Sequence, residues 1–207
     1  MDRPNIKYLL FDLPSDHEIE SNLITEGELI ESVLANNRDS KSQSLKSKVK
    51  RIRIVSTARF AKLGSYSYRP QFVHLCGHGK QSGIDLIDGE VHWDNVALGI
   101  RSQLKKLPPP SAWKSECERS IIFSCCYSKI GFQRTRRQFA GYFSHAYFFK
   151  EDIISFSDAL AVWAMFYSQM SHPQKQDTGE QIVEKINECV GEEMLLVEHY
   201  PSAATIG

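Results

Sequence analysis

Neither sign of charge is in excess in this chain: Lys plus Arg and Asp plus Glu each count 25 over 207 residues, giving a formal net charge of zero. Indiscriminate attraction of the whole molecule to nucleic acid or an anionic membrane is therefore not expected. Long apolar runs are missing too, and a bilayer span needs roughly 20 such residues in a row. The opening MDRPNIKYLLFDLP has an apolar stretch too brief, and too soon interrupted by Asp12, for a secretory leader. Cysteine is scarce: five residues, odd in number and scattered, lacking the spacing of a disulfide-stapled scaffold. A chain this long buries enough core to fold without staples. Free thiols of this kind suit a reducing, cytoplasmic setting.

What is present reads as a globular protein, since 42% of residues are hydrophobic and 24% charged, against the balance of a disordered chain. The length predicts one domain over 1–207, with a mobile loop at the Ser/Lys-rich stretch 38–48. The neutral total hides a local asymmetry. Residues 1–32 hold eight acids against two bases, whereas 38–62 hold nine bases opposed only by Asp39. No aromatic ladder interleaves the basic stretch, as a single-strand nucleic-acid platform requires. A solvated acidic helix paired with a basic strand within the chain is the simpler reading.

Periodicity gives an alternating order of strands and helices. Strands are expected at Tyr8–Phe11, 49–55, 72–75, 119–124, 146–149 and 194–197, those at Tyr8–Phe11 and 72–75 buried and 49–55 alternating, with a hairpin over 83–93 turning at Asp88-Gly89. Ser15 and Glu18 form a capping-box pattern opening a helix. Ile19, Leu23, Ile30 and Leu34 would share its buried face, leaving the glutamates outside. Further helices are expected near 58–63, 95–106, 133–140, 157–170 and 179–190. This order predicts an α/β fold with a mostly parallel central sheet. In such sheets reactive groups collect past the carboxyl ends of the strands.

Two strands end on chemically active residues. Phe72-Val73-His74-Leu75 runs into Cys76-Gly77-His78-Gly79, and the strand at 119–124 runs into Cys125-Cys126. Flanking glycines let a substrate approach the backbone beside His78. An imidazole exposed at a strand tip suits general acid and base work. A cysteine beside an imidazole can attack a carbonyl as thiolate. Each residue alone has an ordinary structural reading, a turn histidine or a core cysteine. Their order, His then Cys about 50 residues later, is that of caspase-type enzymes.

The segments FVHLCGHGKQSGIDLIDGEVHW, SIIFSCCYS and SFSDALAVWAMFYSQM together resemble the CHAT-domain family of caspase-like cysteine peptidases. The resemblance spans roughly 5–198, with specific motifs only around 71–93 and 119–168. It implies a caspase-like α/β/α sandwich, His78 as base and Cys126 as nucleophile, with backbone N–H groups of Gly79 and Cys126 as oxyanion hole. His74 would be structural and inward-facing. No third catalytic side chain, metal or organic cofactor is implied. The expected partners are a protein substrate and a regulatory protein, with neither nucleic acid nor membrane.

Where the family has alanine before the nucleophile this chain has Cys125; strand alternation turns Cys125 and Cys126 to opposite faces, and the register favours Cys126. The caspase Q-A-C-R-G pentapeptide is absent, so aspartate preference does not carry over. The segment KIGFQRTRRQFA after the nucleophile holds no acid, which argues against an aspartate-cut activation linker.

Ser155, Phe156 and Ser157 would line the substrate groove if its edge follows the fifth main strand, although Ser157 also reads as a helix cap. Asp85, Asp88 and Asp158 suggest a pocket for a basic residue, and Arg134, Arg136 and Arg137 one for an acidic residue; position decides neither. Two other readings compete with a peptidase. One is a catalytically silent interaction module. The other is a metal site of His74, Cys76, His78 and the cysteine pair, set aside because C-x-x-C spacing is missing.

Overall fold

The computed structural model describes residues 6–37, 44–63, 68–105, 119–171 and 177–200. Among the described residues six strands form the main sheet: β1 (Tyr8–Leu13), β2 (Val49–Arg53), β3 (Phe72–Gly79), β6 (Ser120–Ser124), β7 (His145–Phe149) and β8 (Leu195–His199). Their spatial order is β2-β1-β3-β6-β7-β8, and β4 (Gly83–Leu86) and β5 (Gly89–His92) form a hairpin off β3. Neighbours pair in parallel from β2 to β7, and only β8 runs antiparallel. Both faces of β1, β3 and β6 are covered, so these strands read as continuous apolar runs.

Period-two alternation sorts the sheet into two cores. Leu9, Phe11, Val73, Leu75, Ile121 and Phe123 face α3 (Thr57–Ala61), α4 (Trp93–Ser102) and α5 (Ser128–Phe139), meeting Phe60, Trp93, Ile100 and Phe132. Tyr8, Leu10, Phe72 and Ile122 face α2 (Glu26–Asn36), α6 (Phe156–Ser171) and α7 (Gly179–Val190), meeting Leu34, Trp163, Phe166 and Ile186. The result is an α/β/α sandwich with a mostly parallel sheet. No helix among the described residues is long and apolar enough to cross a membrane.

The helix expected over 16–36 is two helices. A short α1 (Asp16–Glu20) stops at Asn22, whose φ of 50° is left-handed, and α2 starts afresh after Thr25. The cause is a second capping box: Thr25 Oγ1 accepts the Glu28 N–H at 3.2 Å, and Glu28 returns a carboxylate oxygen to the Thr25 N–H at 3.1 Å. Leu23 therefore lies 47% exposed in the break rather than in the core. Nor do all the glutamates stay outside: Glu26 is buried. Gly27 permits this, because a side chain there would collide with Asp12.

Of the loop expected at 38–48, residues 38–43 lie outside the described residues, and Leu45–Lys48 form a 3₁₀ turn with Leu45 buried. The acidic and basic stretches do pair within the chain. Arg51 bonds Asp12 at 2.9 Å and Glu31 at 2.8 Å, which ties β2 to β1 and α2. Burial raises the Asp12 carboxyl above its usual range, against the lowering pull of hydrogen bonds from Arg51 and Thr25.

Thr25 both caps α2 and donates to the buried Asp12 carboxylate at 3.0 Å. Thr25→Val keeps the shape and removes both bonds. It is expected to lower unfolding stability by about 1–3 kcal/mol in chemical denaturation.

Candidate active site

β3 and β6 lie side by side in parallel register, with Cys76 opposite Ser124. His78 is two residues past Cys76 and Cys126 two past Ser124, where β6 has already ended, and both reach the same rim. A cavity of about 70 Å³ opens there, lined by His78 and Cys126 together with Glu18, Glu26, Cys76, Ile154, Ser155 and Phe156.

The two strand tips touch through backbone. A methyl group at Gly79 would run into the Cys126 carbonyl oxygen and come within 3.2 Å of Cys125 Cβ. Only glycine permits this approach. On its other side the Lys80 N–H donates to the Gly83 carbonyl at 2.8 Å, continuing the ladder that pairs Gly79 with Ile84. Antiparallel ladders alternate, so the Gly79 N–H turns away from β4, towards the side on which Cys126 lies.

Past the rim the chain reverses sharply. Tyr127 sits at φ 54°, left-handed, and α5 begins at the next residue. This is earlier than the sequence predicts and sets Cys126 just ahead of a 12-residue helix. Two clamps fix the turn. The Tyr127 N–H donates to the Asp152 carbonyl at 2.6 Å, and Ser128 Oγ accepts the Phe149 N–H at 3.0 Å. Cys125 and Cys126 both line the cavity, but Cys125 is buried and packs into the core facing α4 and α5, whereas Cys126 is half-buried. Burial, chiefly, pushes the Cys125 thiol well above its ordinary value. The Cys126 thiol donates to the Ile154 carbonyl at 3.8 Å.

His78 has a partner that the sequence reading misses. Its Nε2 lies 3.1 Å from Glu18 Oε2, and the imidazole side chain is 57% exposed. Glu18 is the carboxylate of the Ser15 capping box, with the Ser15 N–H donating to the same oxygen at 2.8 Å. The capping pattern was the available signal; that its carboxylate also reaches β3 follows only from the break after α1. The Glu18 bond raises the His78 imidazole above its ordinary value, outweighing partial burial. Burial works to raise the Glu18 carboxyl, but hydrogen bonds from His78 and Ser15 win and hold it below its usual range. No hydrogen bond joins His78 to Cys126 in this resting arrangement, in which each has another partner.

Among the groove residues expected from sequence, Ser155 and Phe156 line the cavity and Ser157 does not. The cap of α6 is Ser155 rather than Ser157: its Oγ accepts the Asp158 N–H at 3.1 Å. Neither proposed specificity cluster lines the cavity. Asp85 pairs with Lys80 at 2.9 Å, Asp88 holds the Thr57 N–H at 2.7 Å, and Asp158 bonds Ser155 at 2.6 Å. The cavity's own carboxylates are Asp12, Glu18 and Glu26. His74 is fully buried, as expected of an inward-facing residue.

In an NMR titration the His78 ring is expected to protonate above the ordinary imidazole value of about 6.5. Glu18→Gln should bring that midpoint down, and an unmoved midpoint contradicts the pairing. The raised His78 and lowered Glu18 values mean that the pair helps hold α1 only between them. Its contribution to stability is lost as pH rises through the folded His78 value, and also as pH falls through the folded Glu18 value. Gly79→Ala is expected to cost about 1–3 kcal/mol of stability by overpacking the strand tips, read by chemical denaturation.

No protein-family model matches this chain, and no curated protein matches it.

Proposed function

We propose that this chain is a caspase-like cysteine endopeptidase of the CHAT type, with Cys126 as nucleophile and His78 as general base and acid. The reading rests on one observation. Neighbouring parallel strands lead to His78 and Cys126, which line one cavity beside a backbone contact that only Gly79 allows.

In this mechanism His78 takes the Cys126 proton and the thiolate attacks the scissile peptide carbonyl. The oxyanion is held by the N–H groups of Gly79 and Cys126, at the approach to a helix N-terminus. His78 then gives its proton to the departing amine. Water, deprotonated by the same imidazole, hydrolyses the thioester and frees Cys126. Glu18 is a positioning residue: it holds Nε2, leaves Nδ1 for the sulfur and stabilises the imidazolium that forms. No step requires a metal or cofactor.

The resting contacts fit a latent effector. Cys126 leans on Ile154 and His78 on Glu18, so a regulatory protein that shifts the segment before α6 would bring sulfur and imidazole together. Free Cys76, Cys125, Cys126 and Cys189 fit a cytoplasmic setting. The absence of a resting Cys126–His78 hydrogen bond also favours a second reading, a silent interaction module on the same fold.

Alkylation with equimolar iodoacetamide separates the two readings. A peptidase is expected to lose Cys126 before the exposed Cys189, with Cys76 and Cys125 spared. His78→Ala should slow Cys126 to the Cys189 rate. A silent module shows Cys126 reacting no faster than Cys189. On a proteome-derived peptide library, with an activating partner supplied, Cys126→Ala is expected to cut cleavage by about three orders of magnitude or more. Cleavage that survives Cys126→Ala overturns the assignment.

A further inference from the structure

Beneath the cavity lies a cluster that the proposed chemistry does not use. His74 and Cys76 stand two residues apart on β3 and so share a sheet face. The opening of α2 brings Glu26 onto the same spot. One ligand atom from each of Glu26, His74 and Cys76 lies within 4.8 Å of the other two, and all three residues are buried. The Cys76 thiol is 2% exposed, borders the cavity, and has no hydrogen-bond partner among the described residues.

The surrounding groups orient these side chains. His74 Nδ1 is 2.8 Å from the Tyr167 hydroxyl, which turns Nε2 towards Glu26 at 3.3 Å. The Trp163 indole donates to Ser124 Oγ at 2.6 Å, and Ser124 donates in turn to Glu26 Oε1. Metal-binding histidines and carboxylates are held by outer partners of this kind.

We propose that Glu26, His74 and Cys76 bind a divalent cation of borderline softness, of which zinc is the type, beneath the cavity. Thiolate, imidazole and carboxylate form a set that zinc takes and that magnesium and calcium do not favour. The charges close as well. One thiolate, one carboxylate and a neutral imidazole balance the doubly charged ion, so the buried centre is neutral and avoids the cost of an uncompensated charge. As the metal–sulfur bond forms, the Cys76 proton leaves to solvent and His74 carries its remaining proton on Nδ1, towards Tyr167. The cavity of about 70 Å³ leaves room for a water as fourth ligand. Bound metal would tie α2 to β3, and so fix the floor of the cavity whether or not Cys126 is a nucleophile. Two of these ligands, His74 and Cys76, belong to the metal reading that the missing C-x-x-C spacing set aside; the third, Glu26, comes from a helix 48 residues earlier.

The test is titration of the chelator-stripped full chain with zinc chloride against a chromophoric chelator. One tight equivalent is expected, weakened at least about tenfold by Cys76→Ala and by about tenfold in Tyr167→Phe. With cobalt chloride, a near-ultraviolet thiolate-to-metal absorption should appear in the wild type and in Cys126→Ala and vanish in Cys76→Ala. X-ray absorption of the wild-type zinc form, which needs no variant to fold, should show one sulfur at about 2.3 Å with nitrogen and oxygen nearer 2.0–2.1 Å. Absence of stoichiometric zinc binding, a zinc shell without sulfur, or a cobalt band lost in Cys126→Ala but kept in Cys76→Ala would overturn the proposal.

Discussion

The contact between the Gly79 backbone and the Cys126 carbonyl is the constraint on which the site depends. β3 and β6 pair only as far as Cys76 and Ser124. Beyond that, nothing in a regular ladder keeps the two chain ends together. A side chain at position 79 would force them apart, because its Cβ would run into the Cys126 carbonyl. Glycine closes the gap, and the Tyr127 and Ser128 clamps stop the turn from drifting. The proposed chemistry would thereby rest on rigid backbone, with the side chains adjusting on top of it.

The break between α1 and α2 has the wider consequences. One continuous helix would keep its acidic residues in solvent on a single face. Restarting at Thr25 gives two short leads into the sheet edge. The first delivers Glu18 to His78, and the second drops Glu26 onto His74 and Ser124. Arg51 holds the arrangement from the β2 side through Asp12, Glu28 and Glu31. A segment that is acid-rich in sequence thus supplies both the orienting carboxylate of the rim and the buried carboxylate of the floor.

This explains what the sequence made legible and what it did not. Most strands are legible from their continuous apolar runs and β2 from its alternation, and α7 from its amphipathic pattern, with Ile182, Val183 and Ile186 on the buried side. His78 and Cys126 stood out as polar residues ending apolar strands. Glu18 and Glu26 did not, since an acidic residue on a helical pattern looks solvated until tertiary packing buries it. Leu23 was misplaced for the converse reason: helical spacing put it inward, while the Thr25 cap ended the periodicity that the spacing assumed. The roles of Ser155 and Ser157 at the start of α6 differ by one hydrogen bond, which two neighbouring serines do not disclose in sequence.

The central claim is that Gly79 and Cys126 frame one reacting centre. A crystal structure of the chain with a peptide aldehyde tests it most directly. The account predicts a thiohemiacetal on Cys126 Sγ, its oxygen about 2.7–3.1 Å from the Gly79 N–H, with His78 Nδ1 turned to the sulfur and Nε2 still on Glu18. An aldehyde captured at Cys125 or Cys189, or a Cys126 left on Ile154 beside bound but unreacted peptide, would contradict it.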